Sequence, residues 1–271
     1  ERFIIGCAKP SKEIHPRLAK VLKEFNCPVL TMSYESAEIA KISINSILAS
    51  QVSTTNMLSA LCESIGADWS EIVPALRLDK RIGKKAYLKP GLGLAGGNLE
   101  RDLSILDNLT TQYKIENTQI KGWLKTSNIQ KNWLHRKFLS LALDKRQNPK
   151  VALLGLAYKE NTNSIRNSSA IHFLNQMREY NVYVHDPVVK LFNMSWLKQV
   201  DNSTEAVKNA DVLILATPWP EYKNLKLKTL HSLMKRPIII DPSSLLSNQN
   251  PSKYGFKWIR LGTSKHSESE P

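Results

Sequence analysis

From Ser36 to Ile65 the chain runs for about 30 residues without a glycine or a proline, while Ile39, Ile42, Ile44, Ile47, Leu48, Val52, Met57, Leu58, Leu61 and Ile65 recur at steps of three and four. That period predicts one amphipathic helix, capped by Ser36, with Glu38 suited to the positive end of its dipole. At 1.5 Å per residue it extends roughly 45 Å, more than one small core covers. A chain built around such a helix must use it to bridge units or to pack it against a second copy.

The other segments group around this helix. Residues 1–32 read as a strand (Phe3–Gly6), a helix (His15–Phe25) and an extended run (Pro28–Met32), the remnant of an α/β unit whose beginning is missing. Residues 33–148 read as all-helical: the long helix, a short helix at Trp69–Leu76, a glycine-rich loop at Lys89–Gly97, and helices at Leu99–Tyr113 and Thr118–Lys145. Over residues 149–265 strands at Lys150–Ala157, Val182–His185, Val212–Thr217, Pro237–Asp241 and Phe256–Leu261 alternate with helices at Ser168–Tyr180 and Thr204–Asn209. Such alternation implies a parallel, doubly wound sheet. The end of the chain, from Thr263 and with residues 266–271 at its tip, reads as a disordered tail.

Composition narrows the function classes. Val212–Ala216, among the longest apolar runs, is far short of the roughly 20 residues of a membrane helix, so neither a span nor a secretory leader is expected. Three cysteines without CxxC or His/Cys spacing make neither a disulfide framework nor a metal site, and a reducing, cytoplasmic setting follows. The net charge of +14 favours anionic partners. Its lysines and arginines are spread along the chain with no aromatic-studded basic block, so a phosphate-bearing small molecule accounts for the sign and nucleic acid is not expected.

Three segments have the make-up of a site. Lys41 and Asn45 lie four apart on one helical face, where an ammonium and an amide can converge, although a solvated lysine beside a polar neighbour fits as well. Pro90-Gly91-Leu92-Gly93-Leu94-Ala95-Gly96-Gly97-Asn98-Leu99-Glu100-Arg101-Asp102 brings backbone N–H groups close to a ligand at a helix start, or is a connector. It follows no strand, so it is not a dinucleotide fingerprint. Gly155–Ser168 forms the first strand-to-helix turn of the parallel sheet, where ligands bind. Its single glycine argues against close pyrophosphate approach, which leaves Lys159 and Arg166 as phosphate or ribose contacts, or as loop charges.

In this order and spacing the segments resemble the UDP-glucose/GDP-mannose dehydrogenase family. Further markers are Leu61-Cys62-Glu63-Ser64-Ile65-Gly66-Ala67-Asp68, Asp79-Lys80-Arg81-Ile82-Gly83, His185-Asp186-Pro187, Ala210-Asp211 and Thr217-Pro218-Trp219-Pro220-Glu221-Tyr222. The resemblance implies a helical central dimerisation domain followed by a Rossmann-like domain that binds a nucleotide sugar, with the N-terminal NAD-binding domain lacking. It implies NAD-dependent oxidation of a UDP-glucose-like alcohol for polysaccharide precursors, in a homodimer formed through helix 36–65.

The resemblance also implies roles. Lys41 stabilises alkoxide charge, Asn45 fixes a water or sugar oxygen, and Asp102 serves as base, for which a raised pKa is expected. Arg81, Gly93, Tyr158 and Lys159 contact substrate, Arg81 reaching the partner subunit's sugar, while Arg101 and Arg166 lie near the cofactor. Against the family pattern, Asn98 stands at the position of the nucleophilic cysteine, and an amide forms neither thiohemiacetal nor thioester. Asp241-Pro242-Ser243-Ser244 replaces an Asp-Gly-Arg-Asn type sequence, which removes an arginine that grips the nucleotide, and Ser164 replaces an aspartate. A non-catalytic nucleotide-sugar binder or dimerisation partner is the competing expectation.

Overall fold

The computed structural model describes residues 2–9, 14–191 and 194–264; the tail expected at 266–271 lies outside the described residues. The chain opens with a parallel pair of strands, β1 (Phe3–Gly6) and β2 (Val29–Met32), joined through helix α1 (Pro16–Lys23). Helix α2 (Tyr34–Ile65) follows at once and crosses α3 (Trp69–Leu78), α4 (Asn98–Gln112) and α5 (Thr118–Lys131). After α6 (Trp133–Leu139) come β3 (Lys150–Leu154), α7 (Ser169–Asn175), β4 (Asn181–His185), β5 (Lys198–Gln199), α8 (Ser203–Val207), β6 (Val212–Leu215), α9 (Leu227–Leu233), β7 (Ile238–Ile240) and β8 (Lys257–Ile259). No helix among the described residues is long and apolar enough to cross a membrane.

The long helix forms as its period predicts, but its cap is Ser33, not Ser36. The Ser33 hydroxyl accepts from the Ser36 N–H at 3.3 Å, and Glu35 rather than Glu38 occupies the first turn. Its packing also departs from the sequence pattern. Asn45, Ser46, Ala49, Ser53, Asn56 and Ser59 are buried, whereas Ile39, Ile47, Met57, Leu61 and Ile65 are exposed. Small inward residues let α4 and α5 come close, around a cluster of Ala49, Leu94, Leu103 and Ile120. The bulky apolar residues are left as a stripe on the outside.

The helix expected over Thr118–Lys145 is interrupted at Asn132. There the Asn132 amide donates to the Asn128 carbonyl at 3.0 Å, and its oxygen accepts from Gln176 Nε2 at 2.8 Å, which ties the break to the end of α7. Helix α7 itself stops at Asn175, short of the expected Tyr180. Thr263 is not tail: it forms an antiparallel bridge with Asp68.

The sheet has the order β5-β4-β3-β6-β7-β8, and every pairing is parallel. Burial of Val151, Ala152, Leu153, Leu154 and Val212, Leu213, Ile214, Leu215 fits central strands covered on both faces. The strand order reverses between β3 and β6, so their carboxyl ends open a crevice where such sheets take ligands. The two-residue edge strand β5 carries no apolar run and was not expected.

Candidate functional site

The polar centre is built on two helices. Lys41 and Asn45 stand one turn apart on α2, and Asp102 lies in the first turns of α4. Lys41 Nζ donates to Asn45 Oδ1 at 3.4 Å, and Asn45 Nδ2 donates to Asp102 Oδ2 at 2.5 Å. The other carboxylate oxygen accepts from Arg101 Nε at 2.9 Å and pairs with Nη2 at 2.8 Å. The Asn45 amide thus gives each end a complementary partner.

Asp102 is 4% exposed, whereas Lys41 and Arg101 reach solvent. Burial pushes the Asp102 carboxyl upward, but hydrogen bonds from Arg101 and Asn45 and the charges of Arg101 and Lys41 outweigh it. The carboxyl is held below the usual aspartate range. The raised pKa expected for a base is therefore corrected: the adjacent arginine stabilises the charged form.

The glycine loop that leads into α4 is fixed from three elements. Asn56 on α2 accepts from the Gly91 N–H at 2.8 Å, and Ser127 on α5 accepts from the Leu94 N–H at 2.8 Å. Ser169 on α7 donates to the Leu92 carbonyl at 2.9 Å, and Asn167 Nδ2 donates to the Gly96 carbonyl at 2.7 Å. Gly93 has φ +88°, and a Cβ there would stand 2.6 Å from the Ser127 carbonyl oxygen, so only glycine fits. The Tyr158 ring lies against Gly96, and the Arg166 guanidinium lies against Gly97.

Between this loop and the β3/β6 crevice runs a groove of about 230 Å³, walled by Lys89–Gly93 and Ala95 on the helical side and by Ala157, Tyr158, Ser168–Ala170, Ala216 and Pro218 on the sheet side. A second hollow of about 290 Å³ continues past Pro90, Pro242 and Ser243 to Trp69 and Arg77 of α3. The Lys41–Asn45–Asp102 cluster does not line either hollow; the glycine loop connects it to them.

Residues 35–128 match the model described as "UDP-glucose/GDP-mannose dehydrogenase family, central domain", and residues 152–248 match "UDP-glucose/GDP-mannose dehydrogenase family, UDP binding domain". The chain belongs to the UDP-glucose/GDP-mannose dehydrogenase family. Similar curated proteins include UDP-glucose 6-dehydrogenase of Rickettsia prowazekii (29% identical over 271 residues, covering 97% of this chain and 62% of the relative). UDP-glucose 6-dehydrogenase TuaD of Bacillus subtilis is 28% identical, covering 100% of this chain and 59% of the relative. The chain thus spans about three fifths of these relatives' length. The fold matches that of a UDP-glucose dehydrogenase from Pyrobaculum islandicum with a TM-score of 0.75 at 24% identity, over 97% of this chain and 59% of that one.

Within this nucleotide-sugar dehydrogenase fold the site residues named from sequence divide into three groups. Lys41, Asn45, Asp102 and Arg101 are in one bonded cluster. Gly93 and Tyr158 line the groove, and Arg166 covers Gly97 beside it. Lys159 is exposed, with its Nζ 5.6 Å from the Tyr158 ring centroid. Asn98 is exposed at the first residue of α4, and Arg81 points to solvent, 90% exposed and paired with Asp79 at 2.6 Å. The loop anchors Asn56, Ser127, Asn167 and Ser169 were missed, although the first two leave one signal: polar residues on helix faces that bury.

Proposed function

We propose that the chain serves oxidation of a nucleotide-sugar alcohol of the UDP-glucose type, and that a second copy packs on the exposed stripe of α2. The observation that carries the reading is the unbroken path Lys41–Asn45–Asp102, held beside a glycine loop that faces the sheet's ligand crevice. In this reading the Lys41 ammonium stabilises an alkoxide forming on the sugar, since a charge held in advance acts most strongly. Asn45 orients Asp102 and fixes the reacting oxygen or a water. Asp102, ionised at neutral pH, takes the proton from that water. The nucleotide lies in the groove, with Tyr158 and Gly93 as walls and Lys159 on the diphosphate. Arg81 reaches the second copy's site.

NAD is proposed from the family alone, as the group that accepts hydride when bound. Among the described residues no cradle fits it whole. A Cβ at Gly155, the single glycine of the β3–α7 turn, would collide with Thr217, so that turn is filled. Arg101 and Arg166 are the residues that the resemblance puts near it, and no step is derived through it. At Asn98 no thiolate is available, so the oxidation stops at the carbonyl or proceeds through a hydrated aldehyde held by Asn98 and Asp102.

Asn98 and the arginine-free Pro242-Ser243-Ser244 turn favour a second reading, a catalytically silent nucleotide-sugar binder. Calorimetric titration with UDP, UDP-glucose and NAD, followed by an assay of NADH formation, separates the two. Binding with turnover that Lys41→Ala abolishes supports the dehydrogenase reading. Binding of both UDP-glucose and NAD without turnover supports the silent one, and no binding of UDP or UDP-glucose removes both.

A further inference from the structure

We propose that Glu63 is a positioning residue that holds the two walls of the ligand groove at a fixed separation. It sits in the last turn of α2 with its side chain nine-tenths buried (10% exposed), yet it touches neither hollow. Its donors come from two separate parts of the fold. From α6, Trp133 Nε1 reaches Oε1 at 3.0 Å and Oε2 at 3.2 Å, and Lys137 Nζ reaches Oε2 at 2.8 Å. From the segment after β8, the Gly262 N–H donates to Oε1 at 2.9 Å.

From Gly262 the connection reaches both walls. Its neighbour Leu261 lines both hollows. Its carbonyl accepts from the Trp69 N–H at 2.8 Å, and Trp69 Nε1 donates to the Leu88 carbonyl at 2.8 Å, directly before the wall residues Lys89 and Pro90. Gly262 lies close against Trp69 and Ser59: at φ +78° a Cβ would stand 2.8 Å from Trp69 Cβ and 3.2 Å from Ser59 Cβ, so a larger residue does not fit there. A buried ion pair is an expensive way to fill space, and an apolar residue of similar volume often stabilises as well. What the carboxylate adds is direction, since it fixes α6 and the β8 exit against one point on α2.

The groove's occupant rests on the function proposed above; the latch itself does not. Glu63→Leu, Glu63→Gln and Trp133→Phe are compared with the full chain by hydrogen exchange and by titration with UDP. In Glu63→Leu, exchange at 260–264 and 67–70 accelerates roughly tenfold or more while β3 and β6 keep their protection. UDP binding weakens by roughly tenfold in the same variant. Glu63→Gln retains an acceptor for Gly262 and restores both readouts to within about threefold. Trp133→Phe, which keeps an aromatic ring and loses the indole N–H donor, gives a weaker form of the local pattern if Glu63→Leu does not fold. Acceleration spread evenly over β3 and β6, or none at 260–264, overturns the proposal. Failure of the unaltered chain to bind UDP removes the ligand assignment and leaves the exchange result to decide the latch.

Discussion

The amide of Asn45 and the carboxylate of Asp102, 57 residues apart in sequence and both buried, are joined at 2.5 Å. Because Arg101 occupies the other carboxylate oxygen, Asn45 is the partner that decides whether Oδ2 is satisfied. Replacing Asn45 with alanine leaves a buried acceptor unpaired and is predicted to lower the unfolding free energy by about 2 kcal/mol. Urea denaturation of the variant measures it, and an unchanged midpoint would contradict the pairing.

The pH dependence follows from the same carboxylate. A group whose folded pKa is depressed adds stability above its unfolded value and loses it as pH falls through the folded one. Relative to Asp102→Asn, the native chain is predicted to gain stability at neutral pH. That gap closes on acidification below the ordinary aspartate value of 3.8. Thermal melts across the acid range test this, and a gap that widened there would mean the carboxyl is raised instead.

Gly93→Ala is predicted to destabilise by about 3 kcal/mol, from a left-handed backbone and a Cβ driven into the Ser127 carbonyl. Gly122→Ala on α5 serves as its opposite, because nothing lies within 4 Å of its Cβ position. That change gains about 0.5–1 kcal/mol. Melting temperatures moving in the same direction for the two variants would refute the loop geometry.

With Asn98 at the cysteine position, the chain is predicted to form no covalent sugar adduct. Intact mass after incubation with NAD and UDP-glucose should equal that of the untreated protein, and a stable mass increase of a sugar would sink this.

The outward stripe of α2 predicts self-association. Leu61→Glu or Ile47→Glu places a charge on an exposed apolar position and leaves the packed face alone. Sedimentation equilibrium should show dimers for the native chain and monomers for either variant; a native monomer would contradict the assignment.

The elements that sequence made legible are those whose local pattern repeats. Helix α2 and the alternation from β3 to β8 follow from apolar period and run length; Lys41 and Asn45 share a helical face by spacing, and Asp102 joins them through the family resemblance. What stayed hidden depends on partners far along the chain. Ser36 looked like a cap because the apolar period starts near it, but Ser33, at the exit from β2, does the capping. Asn132 reads as one more helical residue until Gln176, just past α7, is seen to hold it. The Arg101 pair that lowers the Asp102 pKa is local in sequence but takes effect only once Asp102 is buried. Which face of α2 turned inward was decided by close helix approach, which favours Ala49, Ser53 and Ser59 over isoleucine.

The bend around Gly93 owes its shape to atoms borrowed from three helices and the turn before α7, and two of its four anchors, Asn167 and Ser169, belong to the sheet-bearing half. An excised helical half would keep the motif's letters and forfeit part of its form. The recognition proposed for this bend is therefore a property of the assembled chain, and losing contact between the halves would silence it before any glycine was altered.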